Sequence, residues 1–274
     1  MSRPFDATCP VRASPVAALR DAGLDWIVPD WPAPADVGAF VTTRHGGVST
    51  GPCATMNLAR HGEDDPAAMA ENRRRLDRLL PATPVWLDQV HGTTVVTLDR
   101  TPSPEAPLPV ADAAVTRERG IVCAVRTADC LPVLFAARAG EAIGIAHAGW
   151  RGLAAGVLEA TLAAMAALGA TAGDLVAWLG PGIGPDAFEV GGEVRTAFCA
   201  ADPGAAPCFA PNGVGKWRAD LYGLARRRLT AAGVPHVYGG GCCTFHDAAR
   251  FYSYRRDRSP GRMAALIWRA PLDA

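Results

Sequence analysis

Three apolar, β-prone runs, Ile121–Arg126, Val133–Ala137 and Ala142–Ala146, follow one another so closely that no crossover helix fits between them. Parallel neighbours need a connection of a dozen or more residues, so runs this close read as antiparallel strands, and a doubly wound parallel sheet is disfavoured. Other runs of strand length are Gly38–Thr43, Val85–Val90, Thr94–Leu98, Leu175–Leu179, Arg250–Tyr254 and Met263–Trp268, separated by glycine and proline turns. Helices are predicted at Pro66–Leu80, capped by Asp64 or Asp65, and at Leu153–Leu168, ended by Gly169. Gly191–Phe198 and Ala219–Ala232 also carry helical spacing, the second running into Gly233 and Pro235. With no internal repeat and no long linker, the expectation is one α+β domain over 1–274. Its sheets are largely antiparallel or mixed and flanked by helices, and about 1–35 is an N-terminal extension without motif.

Charge and composition remove whole classes of function. Lys and Arg number 27 and so do Asp and Glu, leaving a formal net charge of zero, so the attraction that nucleic-acid binders rely on is missing. No stretch approaches the roughly 18 apolar residues of a membrane span, and the N-terminus lacks the apolar core of a secretory signal. The expected location is the cytoplasm, and the expected state a monomer. The eight cysteines, at 9, 53, 123, 130, 199, 208, 242 and 243, form no CxxC pair and no plausible disulfide framework in that reducing compartment. Most are expected to be small buried apolar residues.

The chemistry gathers at strand ends. The run from Val85 leads into His91-Gly92, the run from Ile121 through Asp129 into Cys130, and the third run into His147-Ala148-Gly149. Side chains there are held by a scaffold yet reachable from solvent. Two imidazoles and a thiolate suit zinc with one coordination position left open, and copper could use them as well. They could equally be a cysteine nucleophile with a histidine base, or three unrelated residues. In Val41–Ser49, Arg44 stands where a strand opens into a Gly-Gly turn, a setting suited to a phosphate or carboxylate. Arg255 and Arg256 are a second anion-binding candidate, or solvated partners of Asp257. Gly180–Pro185 lacks the spacing of a dinucleotide fingerprint and reads as a tight turn lining a pocket. Of His45, His61, His236 and His246, His61 is the candidate nearest the site.

Taken in order, TTRHGGVS (42–49), MNLARHGEDDP (56–66), QVHG (89–92), ADAAVT (111–116), TADCLPVLF (127–135), AHAGWRG (146–152), WLGPGIGP (178–185), FEVGGEV (188–194) and FYSYRRDRSPGR (251–262) resemble the YfiH family. It is also called the laccase-domain or multicopper polyphenol oxidoreductase family. The resemblance runs from about Gly38 to Trp268. It implies a mononuclear metal site, normally Zn²⁺ with Cu²⁺ as the alternative, made by His91, Cys130 and His147. It also implies purine nucleoside phosphorylase activity on adenosine, inosine, guanosine and 5′-methylthioadenosine, together with adenosine deaminase activity. The partners would then be a small nucleoside and phosphate. Older readings of the family, a copper polyphenol oxidase and a cysteine amidohydrolase editing peptidoglycan precursors, remain alternatives. Glu63 departs from the family's usual HVGDDP, and Asp186 stands where many members carry a cysteine, which removes one soft ligand for a multicopper site. Within the resemblance, Arg44 helped by Arg255 is the choice for phosphate, and Asn57 and Gln89 are further substrate-binding candidates. Asp129 is a candidate for proton transfer or for support of the cysteine ligand.

Overall fold

Along the strand Val122–Thr127 successive side chains serve two different cores. Val122 and Ala124 belong to one apolar cluster with Phe40, Leu266 and Trp268, whereas Cys123 and Val125 belong to another with Leu134, Ile145 and Val176. A strand buried on both faces reads as a continuous apolar run, and it implies a layer on each side.

The structure, a computed structural model, describes residues 15–60, 64–103, 106–139, 141–258 and 260–272. Its strands are β1 (Val37–Val41), β2 (Val85–Trp86), β3 (Val95–Thr97), β4 (Ala113–Thr116), β5 (Val122–Thr127), β6 (Leu131–Ala137), β7 (Ile143–Ala148), β8 (Leu175–Leu179), β9 (Glu189–Gly191), β10 (Phe209–Pro211), β11 (Lys216–Ala219), β12 (His236–Gly239) and β13 (Met263–Arg269). Its α-helices are α1 (Pro15–Asp21), α2 (Pro66–Asp77), α3 (Trp150–Ala155), α4 (Val157–Ala167), α5 (Gly192–Ala201), α6 (Leu221–Ala231) and α7 (Tyr254–Asp257). One sheet has the order β1-β13-β5-β2, a second β12-β8-β6-β7-β4-β3, and a small third β10-β11-β9. The two large sheets pack face to face through Val41, Val125, Leu134, Ile145 and Ile267, while α4 and α6 cover the outer face of the six-stranded sheet. On the far side Leu76 of α2, with Leu19 and Trp26, covers the four-stranded sheet. The result is an α+β domain of four layers with mixed sheets, since among the described strands β2/β5, β3/β4 and β8/β12 pair in parallel and the rest antiparallel. No helix among the described residues is long and apolar enough to cross a membrane.

Several sequence-based expectations need correction. β6 and β7 do pair antiparallel, but β5 pairs with β13 and β2 in the other sheet. The short link after β5 therefore crosses from one sheet to the other. The strand expected over Arg250–Tyr254 does not form. Phe251, Tyr252 and Ser253 are buried in succession, and the Tyr252 N–H donates to Met263 Sδ, with no ladder partner. Of the strand expected to reach Val90 only Val85–Trp86 pairs with β5, because the chain then turns to bridge Asp88 with Val110. The single helix expected over Leu153–Leu168 is broken at Gly156, whose φ of 105° closes α3 and opens α4. Asp65, followed by Pro66, supplies the N-cap of α2 by accepting from the Ala67 N–H. Among the described cysteines only Cys53 and Cys123 are buried, and Cys130, Cys199, Cys208, Cys242 and Cys243 are half-buried, which corrects the expectation for most of them. His61 and Glu63 lie outside the described residues.

Candidate functional site

The link from β5 to β6 carries Cys130 at the seam between the two large sheets. Its conformation is unusual: Asp129 has φ 92°, a left-handed setting that non-glycine residues adopt at a cost and mostly where function requires it. The Asp129 carboxylate is what holds the turn, accepting from Thr244 Oγ1 (2.7 Å), Ser253 Oγ (3.0 Å) and the Arg255 N–H (2.7 Å). His147 lies near the end of β7, in register with Pro132 of β6, and is 3% exposed. His91 lies in the loop after β2, also left-handed with φ 60°.

One buried carboxylate organises both histidines. Asp112, immediately before β4 and 0% exposed, accepts from the backbone N–H groups of Val90 (3.2 Å), His91 (2.9 Å) and Gly92 (2.6 Å), and from His147 Nδ1 (2.9 Å). It therefore fixes the backbone that carries one imidazole and the ring orientation of the other, directing His147 Nε2 toward the site. The ligand atoms of His91, Cys130 and His147 all lie within 4.8 Å of one another. Cys130 Sγ is 3.6 Å from His91 Nε2, and the two imidazole centroids are 4.9 Å apart. Gly149 allows this approach, since a Cβ there would stand 2.7 Å from His91 Cδ2 and 3.0 Å from Cys130 Sγ. Two imidazoles and a thiolate in one cluster, one ring already oriented by a carboxylate, fit a zinc ion with an open position. Among the described residues this is the one group suited to a metal.

Electrostatics agree with a thiolate at Cys130. Burial alone would raise its pKa, but the His147 charge and hydrogen bonds from His147 and His91 pull it down to about 6. His147 is correspondingly raised, against the opposing effect of burial, by Cys130 and Asp112. The thiolate is thus present above about pH 6 and lost as the pH falls below it, whereas burial raises the Cys208 and Cys242 thiols. In metal-free protein, iodoacetamide should alkylate Cys130 with a midpoint near pH 6, and Cys208 and Cys242 only at much higher pH. Peptide mapping of the alkylated protein checks this, and a Cys130 midpoint at or above that of an ordinary thiol would contradict it.

The cluster opens into a cavity of about 730 Å³. Trp150, Phe188 and Tyr254 supply aromatic surface, and five arginines line it: Arg60, Arg126, Arg151, Arg255 and Arg262. Of the sequence-derived candidates, His91, Cys130, His147, Asp129, Gln89 and Arg255 are in this lining. Gln89 is spent locally, its amide pairing with both the N–H and the carbonyl of Arg126. Arg44 and Asn57 are not among the residues that line the cavity. Arg44 donates to the carbonyls of Ala54 (2.9 Å) and Ala248 (3.0 Å) and stacks on Tyr252, and Asn57 is buried, bonded to Asp64, Ala59 and Arg262. With its carboxylate accepting from three donors, Asp129 supports the turn that carries Cys130. Arg256 is likewise occupied, by Asp257 and three carbonyls. Ile183 brings the Gly180–Pro185 turn to the cavity wall, as expected, while Asp186 is exposed and His45 pairs with Asp25 away from it. Asp112 was missed in the sequence, although it sits in the ADAAVT motif.

Residues 38–270 match the family model described as multi-copper polyphenol oxidoreductase laccase. A purine nucleoside phosphorylase of Pseudomonas aeruginosa is 56% identical over 244 residues, covering 89% of this chain and 98% of that protein. The purine nucleoside phosphorylase YfiH of Escherichia coli is 51% identical over 244 residues, 88% of this chain and 98% of that protein. Among solved structures, the crystal structure of YlmD from Geobacillus stearothermophilus superposes with a TM-score of 0.82 at 34% identity, covering 90% of this chain and 96% of that one.

Proposed function

The chain belongs to the multi-copper polyphenol oxidoreductase laccase family, which includes YfiH, and from that premise we propose that it is a zinc-dependent purine nucleoside phosphorylase. The observation that carries the reading is the opening of the His91, Cys130 and His147 cluster into a cavity that also presents aromatic walls and a set of arginines. The proposed substrates are adenosine, inosine, guanosine and 5′-methylthioadenosine, with adenosine deamination as a second activity, in the cytoplasm and as a monomer.

In phosphorolysis a phosphate oxygen bonds to ribose C1′ as the C1′–N9 bond breaks. The bonding pair leaves with the purine, which takes up a proton. The chain's own contributions are positional and electrostatic. Trp150, Phe188 and Tyr254 offer apolar faces for a base, and Arg255, its backbone fixed by Asp129 and its guanidinium 5.4 Å from the Phe188 ring centroid, flanks them. The cavity arginines other than Arg255 take the anion in place of Arg44, which does not line the cavity. His91, Cys130 and His147 would hold the ion, which supplies Lewis acidity toward substrate oxygen or nitrogen or toward water. In deamination water adds at purine C6 and ammonia leaves, a reaction that needs no phosphate.

A multicopper oxidase is disfavoured by the ligand inventory: one three-ligand group among the described residues, and an exposed Asp186 where a further soft ligand would stand. A cysteine amidohydrolase would use the Cys130 thiolate as a nucleophile and would tolerate chelation. Adenosine assays with and without phosphate separate these readings. The expected products are adenine only with phosphate and inosine in either case, both abolished by chelation. Phenol oxidation with oxygen uptake and no purine products would sink the proposal.

A further inference from the structure

Two guanidinium groups on one face of the β5/β13 pair have no acidic partner among the described residues. Ala264 lies opposite Arg126 in the antiparallel register, so Arg262, two residues before Ala264, is the diagonal neighbour of Arg126 on the same face, a separation that long side chains span. Both line the cavity. Leu58 links them, its N–H donating to the Arg262 carbonyl (3.0 Å) and its carbonyl accepting from Arg126 Nε (2.8 Å). The segment MNLA is thereby a brace for both arginines.

Arg126 stacks on Trp86 at 4.0 Å and reaches the Leu87 carbonyl only at 3.5 Å, while Arg262 Nη1 donates to the carbonyls of Pro260 (2.8 Å) and Gly261 (3.1 Å). Among the described residues neither forms an ion pair, and Nη2 of each donates to no protein atom. The two carboxylates in the cavity wall are occupied elsewhere, Asp88 by Arg60 at 2.9 Å and Asp129 by its three donors. Burial, together with the Arg73 and Arg60 charges, pushes Arg126 down to about 9 against the pull of Asp88. Burial lowers Arg262 as well, opposed by the charges of Cys130 and Asp129. Partly buried cations this short of counter-charge call for an anion. Parallel N–H groups of a guanidinium suit the oxygens of a phosphate group in particular.

We propose that Arg126 and Arg262 form the seat of the phosphate group in this cavity, occupied by free inorganic phosphate as the cosubstrate. This rests on the phosphorolysis reading. Both arginines line the same cavity as His91, Cys130 and His147, so the seat opens onto the space beside the cluster, where an attacking phosphate oxygen is needed.

The test is calorimetric titration of inorganic phosphate into the holoenzyme, alone and with hypoxanthine present, for the parent protein and for Arg126→Met, Arg262→Met, Arg126→Lys and Arg255→Met. The parent should bind phosphate saturably. Each of the first two variants should weaken binding roughly 10- to 100-fold, Arg126→Lys should recover part of it, and Arg255→Met should retain it. Unchanged affinity in both methionine variants, or no saturable phosphate binding under either condition, overturns the proposal. Adenosine 5′-monophosphate titrated in parallel distinguishes the source of the phosphate: nucleotide binding that these variants lose, with no binding of free phosphate, overturns the cosubstrate assignment. Circular dichroism melting identifies a variant that has lost its fold, and Arg126→Lys then decides. Because binding is read without turnover, a protein that seats phosphate and fails to cleave nucleosides would refute the function and leave the seat standing.

Discussion

Cys130→Ala should lose bound metal and turnover together while keeping its fold. The thiolate is the one anionic ligand in the cluster, and two imidazoles alone hold zinc weakly. The loss in affinity should exceed the roughly 10- to 100-fold that removal of an outer hydrogen-bonding partner costs. Cys130 is half-buried, in a turn whose geometry is set by the Asp129 carboxylate, so the melting temperature should move little. Elemental analysis of the purified variant beside its melting curve checks both halves. Full metal content would remove Cys130 from the ligand set. Retained metal with lost turnover would favour the nucleophile reading.

Asp112 should show the next largest effect, and in two separable ways. Asp112→Ala leaves the N–H groups of Val90, His91 and Gly92 and the His147 Nδ1 without their common acceptor. Unpaired donors cost about 1–3 kcal/mol each when fully buried. The His91 loop is partly open to solvent, so a total loss of roughly 2–4 kcal/mol is expected in urea unfolding. Asp112→Asn keeps an acceptor oxygen and most of that stability, but it is a poorer partner for His147. Zinc affinity in a competition titration should fall roughly 10- to 100-fold. Asp112→Asn with the zinc affinity of the parent would show that the carboxylate serves the loop alone.

The three residues of the cluster were legible in the sequence because each sits within a residue or two of a turn signal at the end of an apolar run, where side chains leave the core. Their joint identity as a site came from the order of short motifs, since the spacing itself fits no local pattern. Asp112 was invisible as a determinant because its importance lies in a tertiary arrangement: β4 pairs with β7 and abuts the His91 loop, and one carboxylate collects four donors. Arg44 shows the converse, a local signal whose tertiary setting the sequence does not reveal. An arginine beside a Gly-Gly turn looks ready for an anion, yet here it is drawn back onto the carbonyls of Ala54 and Ala248. The pairing of Arg126 with Arg262 depends on β5 and β13 being neighbours across about half of the chain's length, a contact with no local trace. Likewise the step from β5 to β6 looked like a hairpin because its length was read without knowing that two sheets meet there. The small sheet β10-β11-β9 escaped notice because its strands are three or four residues long and too short to show a period.

One assay on one sample shows whether the cluster of His91, Cys130 and His147 holds an ion needed for phosphate-dependent cleavage of a purine nucleoside. Hypoxanthine release from inosine is followed with and without inorganic phosphate, on protein whose metal content is measured before chelation, after chelation and after zinc is returned. The expected result is about one ion per chain, release only in the presence of phosphate, loss of release with the ion, and recovery with zinc. Hypoxanthine release at the same rate without phosphate, or undiminished after the ion is removed, would contradict it.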